Sequence, residues 1–184
     1  MMALERVTVG LLGFTMWAAQ VHPVPVSPEI ADFQKRVAHY LKLRKGAAST
    51  VPTLKATDSP EKMQDHQRDL AISIRAARPG AAQGEIFTTA IAANFRGVIR
   101  AALRAPGADR VKESMRDTQL SALPQIAVDV AYPQDQPVQS MPPSLLKQLP
   151  ELPRELEYRA VGRTLILRDI EANLIVDYIK EALP

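Results

Sequence analysis

Leu156-Glu157-Tyr158-Arg159-Ala160-Val161-Gly162-Arg163-Thr164-Leu165-Ile166-Leu167-Arg168-Asp169 is the stretch on which the fold turns. Two apolar-rich runs flank Gly162-Arg163, and glycine accepts the positive φ that a tight hairpin turn demands. The spacing therefore predicts strands over 156–161 and 164–169, closed into a hairpin. Residues 170–183 fit two periods: Ile170, Leu174 and Tyr178 recur as on a helix, while Leu174, Val176 and Tyr178 alternate as on a strand. The strand is favoured, because Leu174-Ile175-Val176 suits a pleated surface and Asn173 can take the left-handed conformation that closes a second hairpin.

Upstream of the hairpin, residues 133–154 hold six prolines and one short apolar turn, Leu145-Leu146 with Leu149, which reads as a wrapped surface loop. Before it, Ile126, Val128, Val130 and Tyr132 alternate with Ala127, Asp129 and Ala131, the pattern of a half-buried strand ended by Pro133.

Further upstream the period becomes helical. Ser27-Pro28-Glu29 is a helix start: a side-chain oxygen for the open backbone donors, a proline tolerated in the first turn, and an acid that complements the dipole. A helix over about 28–45 follows, with Ile30, Phe33, Val37, Tyr40 and Leu41 as its apolar stripe and Gly46 as its stop. Asp58-Ser59-Pro60-Glu61 repeats the start, and Met63, Gln67, Leu70, Ile74 and Ala77 mark the inward face of a second helix stopped by Pro79-Gly80. The linker between them, residues 51–57, is held by Val51 and Leu54. Thr88 caps a third helix with the stripe Ile91, Phe95, Val98, Ile99 and Ala102. A short fourth helix, about 108–117, carries Val111 and Met115. The fold class expected is α+β: three or four N-terminal helices followed by a small antiparallel sheet of three or four strands, one domain over 27–184.

Residues 7–19 run thirteen positions without a charge behind Arg6, an n-region and h-region too short to span a bilayer comfortably. Residues 1–19 read as a secretory signal cleaved near Ala19, and residues 20–26, with Pro23 and Pro25, as an extended lead-in; an uncleaved anchor and a buried N-terminal helix are the alternatives. The chain has 184 residues, 46% hydrophobic and 23% charged, enough for one real core. It has no cysteine, which closes disulfide, thiolate-metal, thiol-nucleophile and lipidated-cysteine chemistry. The net charge of +3 is too small to argue for nucleic acid. Its distribution is uneven: residues 28–117 hold 16 Lys/Arg against 10 Asp/Glu, and residues 118–184 hold 6 against 9.

In residues 40–44 (Tyr-Leu-Lys-Leu-Arg), 54–57 (Leu-Lys-Ala-Thr), His66, 74–78 (Ile-Arg-Ala-Ala-Arg), 84–88 (Gly-Glu-Ile-Phe-Thr), 156–159 (Leu-Glu-Tyr-Arg), Gly162-Arg163 and 173–177 (Asn-Leu-Ile-Val-Asp) the chain resembles a family of exported bacterial proteins with no assigned activity. The resemblance implies export and a shared fold, and carries over no site. Residues 158–179 are also similar to the hairpin ending of small periplasmic proteins linked to nickel and cobalt homeostasis, with Asn173 where those proteins tend to have glycine; this implies architecture only.

The chain carries no phosphate-cradling glycine loop, nucleophile elbow, two-histidine zinc helix or calcium loop. Of its 3 histidines, His22 falls in the lead-in, leaving His39 and His66 for any imidazole chemistry. His66 has Asp69 three residues on, and Asp65 stands four before Asp69. The trio offers either an oriented imidazole for catalysis by His66 and Asp69, or metal ligands in Asp65, His66 and Asp69. The other reading of His66 is a helix-packing residue beside Met63 and Leu70. Tyr40, Lys42, Arg44, Lys55, Arg75 and Arg78 form a second candidate group, for an anion clamped by arginines, although cations at helix C-termini are also expected from the macrodipole. No cofactor is implied. The function these features support is a non-enzymatic exported envelope protein binding a partner or an anionic ligand, with a hydrolase or metal-dependent enzyme using His66 and Asp69 as the alternative. No nucleic acid and no stable membrane span after signal cleavage are expected.

Overall fold

A computed structural model describes residues 27–116, 125–132 and 139–183; the signal and lead-in expectations lie outside them. The chain forms α1 (Pro28–Ala48), α2 (Pro60–Ala77), α3 (Thr89–Arg104), α4 (Asp109–Arg116), β1 (Gln139–Ser140), α5 (Pro143–Leu146), β2 (Leu156–Val161), β3 (Thr164–Asp169) and β4 (Leu174–Ile179). The sheet is antiparallel in the order β1-β2-β3-β4, so the fold is α+β, helices first. No helix among the described residues is long and apolar enough to cross a membrane.

The three helix starts are built as their residue types dictate. Ser27 Oγ accepts from Ile30 N at 3.4 Å, Ser59 Oγ from Lys62 N at 3.3 Å and Thr88 Oγ1 from Ile91 N at 3.4 Å, each satisfying a donor that the first turn leaves open. Gly46 does not stop α1. The helix continues to Ala48 because Ala47 is buried in the core, and the Ser49 and Thr50 hydroxyls turn back onto the carbonyls of Gly46 and Ala47. In α2 the inward face is Leu70, Ala71 and Ile74, in the C-terminal half; Met63 and Ala77 are exposed. Leu54 is exposed as well, so it does not hold the linker.

The main core lies between α1, α3 and one face of the sheet. Phe33, Phe87 and Phe95 meet with ring centroids 5.1–5.6 Å apart, and Tyr158 of β2 lies 6.1 Å from Phe95. These rings bury large apolar area in tilted and offset arrangements that favour aromatic pairs. A smaller cluster covers the other face of the sheet: Tyr132, Val161, Ile166, Ile175 and Tyr178, with Ile126 and Val128 against it.

Residues 126–132 are not a strand. Asp129 sits at φ 62°, and Asp129 N and Val130 O both bond to Ile175, so two residues oppose one as in a bulge; only the bridge Ala131–Leu174 follows. A left-handed residue breaks the pleat that the alternation implied. The fourth strand comes instead from 139–140, inside the expected loop, where Met141, Leu145 and Leu149 are also buried; residues 133–138 are outside the described ones.

The 156–169 hairpin forms with the expected register, Val161 opposite Thr164, and Gly162 takes φ 52°. β4 contains a bulge: Leu167 pairs with Asp177 and Arg168 with Ile175, which leaves Val176 unopposed. The extra residue puts Leu174, Val176 and Asp177 on the helix side, while Ile175 and Tyr178 face the smaller cluster. Tyr178 therefore does not share a face with Leu174 and Val176, as simple alternation required.

Asn173 closes the β3–β4 turn at φ 50°, donates to Tyr132 O at 2.6 Å and accepts from Arg168 Nε at 2.9 Å. Asn173→Gly keeps the turn and loses these bonds, for an expected cost of about 1–2 kcal/mol. Asn173→Ala loses them and also strains the left-handed backbone, about 1 kcal/mol more. Urea midpoints of the two variants check the order, and equal values would refute the turn's need for this conformation.

Candidate functional site

The helices and the sheet meet along a buried polar seam, built first from α1. Tyr40 and Arg44 stand one turn apart and reach Asp169, the last residue of β3, which is fully buried. Asp169 Oδ2 accepts from Arg44 Nε at 2.6 Å and from Tyr40 Oη at 2.9 Å, and Oδ1 accepts from Ala172 N at 2.9 Å. Arg44 Nη2 donates to Glu171 Oε2 at 2.5 Å, and Glu171 Oε1 lies 3.3 Å from His66 Nε2. One chain of contacts thus ties α1, α2 and the β3–β4 turn together.

Burial, reinforced by the Asp169 carboxylate, pushes the Tyr40 phenol far above its ordinary range. Burial alone would lower the Arg44 guanidinium, but its bonds to Asp169 and Glu171 outweigh that and raise it. Both shifts favour the protonated form, so neither group is poised to exchange a proton near neutral pH.

Arg78, at the end of α2, forms the second knot. Its side chain is buried, and its guanidinium carbon lies 5.4 Å from the Tyr40 ring centroid, a cation–π contact. Nη1 donates to Asp129 Oδ1 at 3.1 Å, Nη2 to Glu85 Oε2 at 2.5 Å, and both approach Val176 O at 3.4 Å. Arg75 Nε donates to Asp129 O at 2.7 Å, which holds the left-handed bulge from outside. Burial raises the Asp129 carboxyl more than the nearby Arg78 and Arg75 lower it.

Asp177, also fully buried, is the third knot. Its oxygens accept from the backbone of Gly84 at 3.0 Å, Ile86 at 2.8 Å, Phe87 at 2.7 Å and its own neighbour Tyr178 at 2.8 Å. A carboxylate held by backbone donors replaces its lost water with fixed dipoles. It also pins the loop that delivers Phe87 to the core and Thr88 to its cap.

Of the anion candidates, Tyr40, Arg44, Arg75 and Arg78 come together, whereas Lys42 and Lys55 lie exposed and apart. What the four engage is this chain's own carboxylates and carbonyls. The helical spacing does not bring His66 to Asp69: the imidazole turns to Glu171, Asp65 pairs with Arg68 at 2.5 Å, and Asp69 lies beside Thr50 and Ile72. Among the described residues no three histidine or carboxylate side chains gather as metal ligands.

Sequence reasoning missed the acids: Glu85, Asp129, Asp169, Glu171 and Asp177. Asp177 did carry a signal, a lone charge inside Leu174-Ile175-Val176-Asp177-Tyr178-Ile179. The hydrogen bond from Arg44, aided by His66, holds the Glu171 carboxyl below its ordinary range. A depressed folded value means that ionised Glu171 stabilises the fold above its unfolded value, about 4.3, and that this contribution is lost as pH falls through the folded value. Glu171→Gln is therefore expected to flatten the loss of stability on acidification below about pH 4.3, read as urea midpoints against pH. An unchanged slope would remove Glu171 from the acid response.

A groove of about 660 Å³ runs beside α5, lined by Leu146, Leu149, Leu152, Leu156 and Tyr158. Its ionisable rim, Lys147, Glu151, Glu157 and Arg159, is of mixed sign and assembles no acid–base pair around a reacting position. No family model, curated protein or solved structure matches this chain.

Proposed function

We propose that this protein is an exported bacterial envelope protein that works by binding a partner or an anionic ligand rather than by catalysis. The observation that carries the reading is the closure of the polar seam. Asp169 and Asp177 are fully buried, and Arg44 and Arg78 are spent on carboxylates and a carbonyl of the same chain. A catalytic group must reach a substrate atom; these groups join elements of the fold instead. The thirteen uncharged residues behind Arg6 support export, as does the resemblance to exported bacterial proteins.

Expressed with its native start in a Gram-negative host, the protein is expected in the soluble periplasmic fraction with an N-terminus between about residues 19 and 22, read by intact mass. An unprocessed cytosolic chain would refute export. His66→Ala separates binding from the competing hydrolase or metal reading. The seam predicts a modest fall in melting temperature from loss of the Glu171 contact; loss of a hydrolytic or metal-dependent activity with stability kept would overturn the binding reading.

A further inference from the structure

We infer that the outward face of α3 docks onto an anionic phospholipid surface. Arg96, Arg100 and Arg104 recur every four residues on this helix, about 6 Å apart along its axis and within an arc of about 80°. The inference deepens the binding reading above by naming what is bound, and it relocates the anion site from the seam, where the arginines are paired with the chain's own carboxylates, to a helix where, among the described residues, no carboxylate pairs with them.

The first observation is the uniform sign. α3 carries three arginines and no acid, and residues 86–108 contain no Asp or Glu. Arg100 and Arg104 are exposed and make no ion pair or hydrogen bond among the described residues, while Arg96 donates Nε and Nη2 to the carbonyl of Lys180, another exposed cation. Glu181, next along the chain, is already paired with Arg163 at 2.8 Å. Like charges four apart on a helix repel. The dipole accounts for Arg104 in the last turn, but not for Arg96 midway along.

The second observation is the relief between the arginines. Ala93, Gly97 and Ala101 are exposed on the same stripe. Glycine in mid-helix is unfavourable, and the fold has no steric need of it here, because a Cβ at Gly97 would meet nothing within 4 Å. What the small residues supply is a low surface from which only guanidinium groups stand out. Such a row complements a plane of phosphates, since each guanidinium can fork onto phosphate oxygens. A single small anion would need a concavity, and none of the arginines lines one of the described cavities.

The test is co-sedimentation of the purified full chain with vesicles of phosphatidylcholine alone or mixed with phosphatidylglycerol. Binding is expected to the mixed vesicles only, and to fall as salt is raised. Arg100→Gln with Arg104→Gln should weaken it roughly thirtyfold at unchanged melting temperature. Lys42→Gln with Lys55→Gln, which removes the same charge elsewhere, should leave it intact. Equal binding to neutral vesicles would report the apolar N-terminal stretch and overturn the inference. So would equal losses in the two double variants, or binding to soluble dextran sulfate without binding to vesicles. Because the assay uses only the purified chain and lipid, it reads the arginine face independently of whether export occurs.

Discussion

Replacing Asp169 by alanine is expected to destabilise the protein by about 3–5 kcal/mol, because it takes from a buried guanidinium its buried partner and leaves it only the exposed Glu171. Arg44 loses its 2.6 Å bond, and the buried Tyr40 hydroxyl loses its 2.9 Å acceptor at the same time. Ala172 N, which anchors the β3–β4 turn on Asp169 Oδ1, is orphaned too. Domains of this size hold roughly 5–15 kcal/mol in total, so the variant should sit near the edge of folding. Urea unfolding followed by circular dichroism reads the change. The double replacement Arg44→Met with Asp169→Leu should recover part of the loss, since it also removes the buried cation that has lost its buried partner. A single-variant loss under 1 kcal/mol would mean that water reaches the seam and the pair is not the tie described.

Asp177→Ala is expected to cost about 4 kcal/mol by a different route: it removes no cation's partner but strips the acceptor from the buried donors of Ile86 and Phe87 and from that of Gly84. The loop should then detach from β4, weakening the Phe87 contacts with Phe33 and Phe95. Asp177→Asn keeps one acceptor oxygen but turns an NH₂ toward backbone donors, and about half the loss is expected. Amide exchange at Ile86 and Phe87 is the direct readout. Both amides should lose protection well before those of the α3 interior, whereas uniform loss across the fold would show that the loop is not separately pinned.

The two replacements also bear on function. If Asp169 or Asp177 acted on a substrate, a conservative variant would abolish an activity with little change in stability. The seam predicts the reverse, large stability effects and no chemical step to lose. On the binding reading the surfaces carry the function, and α3 presents a row of three arginines that no carboxylate among the described residues pairs with.

Local chemistry determined the three capped helix starts, the tight turns, the 156–169 hairpin and most of the element ends, but not the strand expected over 126–132 or the one found at 139–140. Ser27, Ser59 and Thr88 cap where a side-chain oxygen meets open backbone donors, Gly162 and Asn173 turn the chain where positive φ is needed, and Leu156–Val161 and Thr164–Asp169 pair because two residues leave no other route. These are interactions over a few residues, and a linear reading contains both partners. Tertiary structure decided what depends on residues far apart. Gly46 stays helical because Ala47 is buried, Met63 is exposed because the packed face of α2 lies in its second half, and Asp129 leaves the strand region where Arg75 and β4 hold it. Tyr178 and Asp177 change faces through one extra residue in β4, which no alternation pattern encodes. The arginines of the seam were legible as cations but not as paired ones, because Arg44 finds Asp169 125 residues away and Arg78 finds Val176 O 98 away. Charge is a property of a residue, whereas compensation is a property of the folded neighbourhood, and only the fold could separate the arginines consumed in the seam from those left facing outward on α3.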